Sequence, residues 1–183
     1  MEKFELLDPI ALQHTITRLC YELYERHFPF ENTAIIGLQP RGVFLADRIA
    51  AELNKIGLPG KLMVGHLDVT FHRDDFRHRD TPLLPSQTKM DFLVEGAKVI
   101  LVDDVLYTGR TIRAGLDALL TFGRPAKVEL LVLVDRRYSR DLPIQPDYVG
   151  RVVDTITSEK VKVSLMESDR EDHVWLLTDK PQK

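Results

Sequence analysis

Apolar residues recur at helical spacing through Leu12, Ile16, Leu19, Cys20 and Leu23, and the pattern continues to about Arg26. Asp8 before Pro9 supplies an N-cap and a first helical residue whose missing N–H has no partner to lose. A helix is therefore expected from that point. Thr33 to Leu38 is a short apolar run suited to a strand, and it ends in the turn Gly37-Leu38-Gln39-Pro40-Arg41-Gly42. Val43 to Asn54 is amphipathic, with Leu45, Ile49 and Leu53 on one face, and Gly57 to Gly60 breaks it. Leu62 to Thr70 reads as another strand.

Residues 71 to 90 hold no sustained period, and so long an irregular stretch in a compact domain is expected to be functional or disordered. Order returns at Lys98 to Val102, the predicted central strand. Thr111 to Phe122 is a predicted helix, broken at Gly123 and Pro125. Val128 to Val134 is almost continuously apolar, as in a covered parallel strand. Residues 135 to 160 are polar and carry Pro143 and Pro146, with no strand expected before two late ones at Val161 to Leu165 and Val174 to Leu177. Strand and helix alternate through the middle, which predicts a single α/β domain over 1–183 with a parallel sheet. The turns at 38–42 and 103–110 then lie at the carboxyl edge, where open α/β sheets bind ligands.

Composition narrows the class without changing that picture. The chain has 183 residues, 44% hydrophobic and 29% charged, and a mean hydropathy of −0.15. No apolar run approaches the ~20 residues of a membrane span, and the first residues lack the basic-then-apolar order of a signal peptide. A cytoplasmic protein is expected. The one cysteine, Cys20, precludes an intramolecular disulfide and argues against a Cys-rich zinc site. It falls in the helical pattern and is expected to pack in the core. A net charge of −3 and a pI near 6.1 do not suggest a bulk nucleic-acid binder, and leave room for a local basic face.

The chemistry gathers at 99–112, Val-Ile-Leu-Val-Asp-Asp-Val-Leu-Tyr-Thr-Gly-Arg-Thr-Ile. An apolar strand delivers Asp103 and Asp104 to its tip, and a Gly-containing turn opens a helix. Carboxylates suit sugar hydroxyls, or a Mg2+ ion reached through water. Backbone N–H groups at a helix start suit a phosphate, and Thr108 and Thr111 add hydroxyl donors. Neither a Walker A loop nor a GxGxxG fingerprint is present. A capped turn with solvated aspartates would explain single features of this run. The whole run describes a site for a phosphorylated sugar.

That segment closely resembles the phosphoribosyl-pyrophosphate (PRPP) motif of type I phosphoribosyltransferases. The resemblance implies ribose hydroxyls on Asp103 and Asp104, and a 5′-phosphate on Tyr107, Thr108, Gly109, Arg110 and Thr111. Gly37 to Gly42, with Gln39, Pro40 and Arg41, resembles the family's pyrophosphate loop, and Asp68 to Asp75 the start of its flexible lid. The segments 132–137, 142–144, 146–150 and 158–161 resemble one subgroup, PyrR, whose members are both uracil phosphoribosyltransferases and pyrimidine-operon regulators. The likeness covers roughly residues 5 to 178.

Several expectations follow from the resemblance. The fold is a Rossmann-like parallel sheet flanked by helices, with a small hood and a lid. The reaction joins uracil to PRPP, giving UMP and pyrophosphate. Mg2+ is the cofactor, held by Asp103 and Asp104 indirectly, through ribose or water. Arg41 reaches the leaving group, and the lid residues Arg73, Arg77 and Arg79 close over it, with His72 and His78 beside them. Purine-salvage relatives carry Asp at the position of Tyr107, so this chain is expected to take a pyrimidine. Val134, Asp135, Arg136 and Arg137 are the candidates for uracil. PyrR-like proteins also bind the leader of pyrimidine-gene mRNA, promoted by UMP or UTP, on a basic face formed by a dimer. Thr17, Arg18 and Arg26, with Arg137, Arg140 and Arg151, are the candidates here. Gln145 and Tyr21 depart from the subgroup pattern, where a basic residue and His are expected, and thin that face. A uracil phosphoribosyltransferase without RNA regulation, or an RNA-binding sensor, are the alternatives.

Overall fold

The computed structural model describes residues 2–70, 87–155 and 159–178. Its centre is a parallel sheet of five strands: β2 (Thr33–Leu38), β3 (Met63–Leu67), β4 (Lys98–Leu106), β5 (Lys127–Arg137) and β6 (Tyr148–Asp154). They lie side by side in the order β3-β2-β4-β5-β6. Strand alternation sorts the apolar residues between two cores. Ile35, Ile100, Val102, Leu131 and Leu133 face α1 (Pro9–His27) and α2 (Gly42–Ile56). Ala34, Ile36, Val99, Leu101, Leu130 and Val132 face α3 (Arg110–Leu119). Helices on both faces explain why β2 can be almost entirely apolar and wholly buried.

The helix starts and stops follow from local chemistry. Asp8 accepts the Ala11 N–H at 2.7 Å, and α1 begins at Pro9 as the sequence predicts. Gly57 closes α2 in the left-handed region, φ 103°. The helix predicted to run to Phe122 stops at Leu119 and ends in a 3-10 turn, Leu120–Phe122.

A second, three-stranded antiparallel sheet joins β1 (Glu2–Leu7), β7 (Glu159–Ser164) and β8 (His173–Thr178) in the order β1-β8-β7. A single-turn helix, α4 (Met166–Asp169), links β7 to β8. β1 carries little sequence signal because most of its residues are exposed.

Three expectations need correction. β4 does not end at Val102: it stays hydrogen-bonded to β5 as far as Leu106, so Asp103 and Asp104 lie within the ladder rather than beyond its tip. β5 likewise runs to Arg137. The polar stretch after 135 contains β6, an edge strand whose exposed side gives it polar residues.

The end of α1 is anchored through buried polar groups. His27 Nε2 lies 2.6 Å from Glu129 Oε2 and 2.9 Å from the Tyr148 hydroxyl, which donates to the same carboxylate at 3.0 Å. Burial holds the imidazole below its ordinary value of 6.5, against the pull of Glu129; Lys98 and Lys127 push it the same way as burial. A lowered folded-state value means that the unfolded chain binds the proton more readily. Stability is therefore expected to fall as pH drops through 6.5. Thermal unfolding followed between neutral and mildly acidic pH should show this loss. His27→Gln should flatten it; an unchanged slope would remove His27 from the account.

Candidate phosphoribosyl site

Three strand ends converge at the carboxyl edge of the sheet. The turn after β2 packs so tightly on β4 that side chains are excluded: a Cβ on Gly42 would lie 2.4 Å from the Val102 carbonyl oxygen, and one on Gly37 2.5 Å from the Val43 Cα. Within this turn Gln39 donates its N–H to Leu67 O at 2.9 Å, and Pro40 is exposed. Arg41 is half-buried, and its Nη2 lies 3.3 and 3.5 Å from the carboxylate oxygens of Asp169. Its Nε is buried without a hydrogen-bond partner among the described residues.

Asp103 and Asp104 differ in environment. Asp103 is only 6% exposed and accepts the Asp104 N–H at 3.0 Å. Asp104 is partly exposed and accepts the Val105 N–H at 2.9 Å. Desolvation raises the Asp104 carboxyl above its ordinary value, and the charge of Arg41 draws it part of the way back. A carboxylate with that residual need for a cation suits Mg2+, which takes one or two protein carboxylates and completes its shell with water and phosphate oxygens. Among the described residues no three acidic, His or Cys side chains cluster as a complete metal cage.

The turn after β4 has the form of an anion cradle. Gly109 sits at φ 91° at the start of α3, a conformation that a side chain rarely adopts. Arg110 N–H approaches Thr108 Oγ1 at 3.4 Å, and Arg110 Nε pairs with Asp141 at 3.1 Å. Thr111 lies in the first turn of α3. Tyr107 is 38% exposed, and the Arg136 guanidinium lies 4.1 Å from its ring centroid.

The four uracil candidates part company. Val134 is fully buried in the core. Asp135 pairs with Arg140. Arg136, 5% exposed, donates to Thr155 Oγ1 at 3.0 Å and to Glu159 O at 2.7 Å. Arg137 forms a two-point pair with Asp154 at 2.7 and 2.9 Å. Of these, Arg136 reaches the cradle, through Tyr107.

The RNA candidates also divide. Arg18 donates to the carbonyls of Val149 and Gly150, Arg26 lies over the Tyr148 ring, and Arg151 donates to Leu6 O, so these three gather where α1 meets β6. Thr17 donates to Glu52 at 2.9 Å. Arg140 turns inward instead: its guanidinium serves Asp135 and four backbone carbonyls. The lid residues Arg73, Arg77 and Arg79 lie outside the described residues. Asp169 escaped the sequence reading because it stands 128 residues from Arg41 and belongs to no motif.

A parallel sheet with an anion cradle and paired aspartates at its carboxyl edge defines a phosphoribosyl-binding α/β protein, and known proteins agree. The family model of the phosphoribosyl transferase domain matches residues 5–169. A hypoxanthine phosphoribosyltransferase from Staphylococcus aureus superposes with a TM-score of 0.69 over 97% of this chain and 93% of its own, at 17% identity. Hypoxanthine phosphoribosyltransferase of Trypanosoma cruzi in complex with the product IMP gives 0.67 over 97% and 90%, at 19% identity. These likenesses establish the fold. Closer in sequence are curated proteins called bifunctional protein PyrR. That of Clostridioides difficile is 44% identical over 176 residues, 96% of this chain and 98% of its own, and that of Acetivibrio thermocellus 46% over 170 residues, 92% and 91%. The chain belongs to the PyrR family of type I phosphoribosyltransferases.

Proposed function

We infer that this protein is a uracil phosphoribosyltransferase that also regulates pyrimidine genes through their mRNA leader. The observation that carries the reading is the match to PyrR proteins at above 40% identity along nearly the whole chain, with the cradle intact. Tyr107, rather than Asp, supports a pyrimidine over a purine.

In the reaction the bond from the ribose anomeric carbon to pyrophosphate breaks, and a bond to uracil N1 forms as N1 loses its proton. Charge develops on the sugar, so catalysis rests on positioning and electrostatics. Asp103 and Asp104 hold the ribose hydroxyls, and residues 107–111 hold the 5′-phosphate. Arg41 exchanges its loose contact with Asp169 for the leaving pyrophosphate. Asp103 and Asp104 would hold Mg2+ through ribose or water, and the ion would supply positive charge for the phosphate oxygens. The resemblance assigns Arg73, Arg77 and Arg79, which lie outside the described residues, to the leaving pyrophosphate. Arg136, which lies on the Tyr107 ring, borders the base.

Arg18, Arg26 and Arg151 support the regulatory half. They offer phosphate contacts on one face, a binding mode that weakens with salt. UMP or UTP is the effector and a homodimer the expected form, in the cytoplasm. Pure protein with PRPP, Mg2+ and a panel of uracil, hypoxanthine and guanine should form UMP alone; absence of uracil turnover sinks the enzymatic reading. A gel-shift with a pyrimidine leader RNA at low salt should strengthen with UMP. If it does not, the chain is the enzyme without the regulator.

A further inference from the structure

Arg140 makes an unusual set of contacts. Its Nη1 approaches the carbonyl oxygens of Leu106 at 3.2 Å, Tyr107 at 2.5 Å and Arg136 at 2.8 Å. Its Nε donates to Ile144 O at 3.1 Å, and Nη2 pairs with Asp135. The next two residues continue the pattern: the N–H groups of Asp141 and Leu142 both donate to Thr108 O, at 3.0 and 3.2 Å. Three consecutive carbonyls of the cradle, 106 to 108, are thus tied to the segment 140–142.

The consequence follows from peptide geometry. No cis peptide occurs between residues 106 and 109. In a planar trans peptide the C=O of one residue and the N–H of the next point in opposite directions. Drawing the carbonyls of Leu106, Tyr107 and Thr108 towards segment 140–142 therefore turns the N–H groups of Tyr107, Thr108 and Gly109 the other way. Those three successive donors form the floor on which an anion would sit. Asp135 and the Arg136 carbonyl, both on β5, fix the guanidinium to the sheet. The Gly109 cradle also abuts this segment, where a Cβ would lie 3.2 Å from Ile144 Cδ1 and 3.4 Å from Leu142 Cβ.

We propose that Arg140 is a positioning residue for the 5′-phosphate cradle: it orients the backbone donors at 107–109 before the substrate arrives. The inference rests on the phosphoribosyl reading given above. It predicts a loss in phosphate binding that spares the chemistry once substrate is bound, because pre-organisation is realised on binding.

The test uses Arg140→Lys, which keeps a positive charge opposite Asp135 but cannot span four carbonyls. Calorimetric titration with ribose 5-phosphate should show binding weakened about tenfold, the scale of a lost charge-assisted hydrogen bond. The KM for PRPP should rise by a similar factor, with kcat and the KM for uracil little changed and the melting curve near that of the unaltered protein. Arg140→Ala should recover affinity when guanidinium is added. A folded Arg140→Lys with unaltered ribose 5-phosphate affinity overturns the proposal, and so does a variant that loses only leader-RNA binding. The unaltered protein separates the two levels of inference. If it binds ribose 5-phosphate without making UMP, the base assignment fails and the comparison with Arg140→Lys still decides. If it does not bind ribose 5-phosphate, both readings fall.

Discussion

Asp104→Asn is expected to lower kcat/KM for PRPP by about a thousandfold, the upper range for removing one preorganised electrostatic contact. The substitution is nearly isosteric, and its amide oxygen can still accept the Val105 N–H that Asp104 accepts at 2.9 Å. What it removes is the charge. That charge is held in place against desolvation, which raises the carboxyl's proton affinity. The folded protein thus holds an anion that a cation or ribose hydroxyl would satisfy, and Asn leaves nothing to satisfy. Melting should change little or rise, because the neutral amide escapes the desolvation cost. Steady-state kinetics with saturating uracil, beside a thermal melt, checks both parts; near-normal turnover would take Asp104 out of the reaction. The same desolvation has a pH signature. The acid limb of kcat/KM should lie above the ordinary aspartate value of 3.8, since protonation of Asp104 disables it.

The second large effect concerns Gly42→Ala. One added methyl would lie 2.4 Å from the Val102 carbonyl oxygen and 3.2 Å from the Asp103 Cα, both on the backbone of the central strand. Neither contact can be relieved by rotating a side chain. The turn must lift off β4, or β4 must shift and carry Asp103 with it. Overpacking of this kind costs about 3 kcal/mol, which corresponds to a melting point lower by roughly 6–12 °C in a domain of this size. Activity should fall further than stability, because Arg41 and Asp103 move apart. A variant that melts and turns over like the original would show that the turn has slack the geometry denies.

Much of the fold was legible because periodicity and burial coincide in it. Leu12 to Leu23 and Leu45 to Leu53 read as helices because their apolar residues repeat where the helix meets the sheet. Thr33 to Leu38 reads as a strand because both of its faces are covered. The misreadings have two physical causes, and the first is strands that end in polar residues. Asp103, Asp104, Asp135 and Arg136 are ladder residues with the composition of a loop, so β4 and β5 seemed to stop early. β1 and β6 lie at sheet edges, where polar residues are tolerated and the apolar signal fades.

The site was legible in part for a related reason. The run at 99–112 is local, and its chemistry follows from chain order alone. Arg140 and Asp169 act across the fold, and their roles appear only when β5 meets the cradle and α4 meets the pyrophosphate turn. The family resemblance placed Arg140 on a surface for RNA; its hydrogen bonds to Leu106, Tyr107 and Asp135 tie it to the cradle.

The overrun of β4 and β5 past the apolar core has one further consequence. Asp103 pairs with Val132, and Leu106 with Asp135, beyond Val102, where β4 has parted from β2 and keeps β5 alone. Amide protons there should exchange with solvent deuterium faster than those of Val99 to Val102, which lie between two strands. The carboxylates proposed to hold the sugar thus sit just past the doubly paired part of β4. The cradle at 107–109 lies just beyond the paired region, and deuterium uptake there should fall when a nucleotide occupies it. Protection would thus step down after Val102 and again after Leu106, inside a single run of sequence.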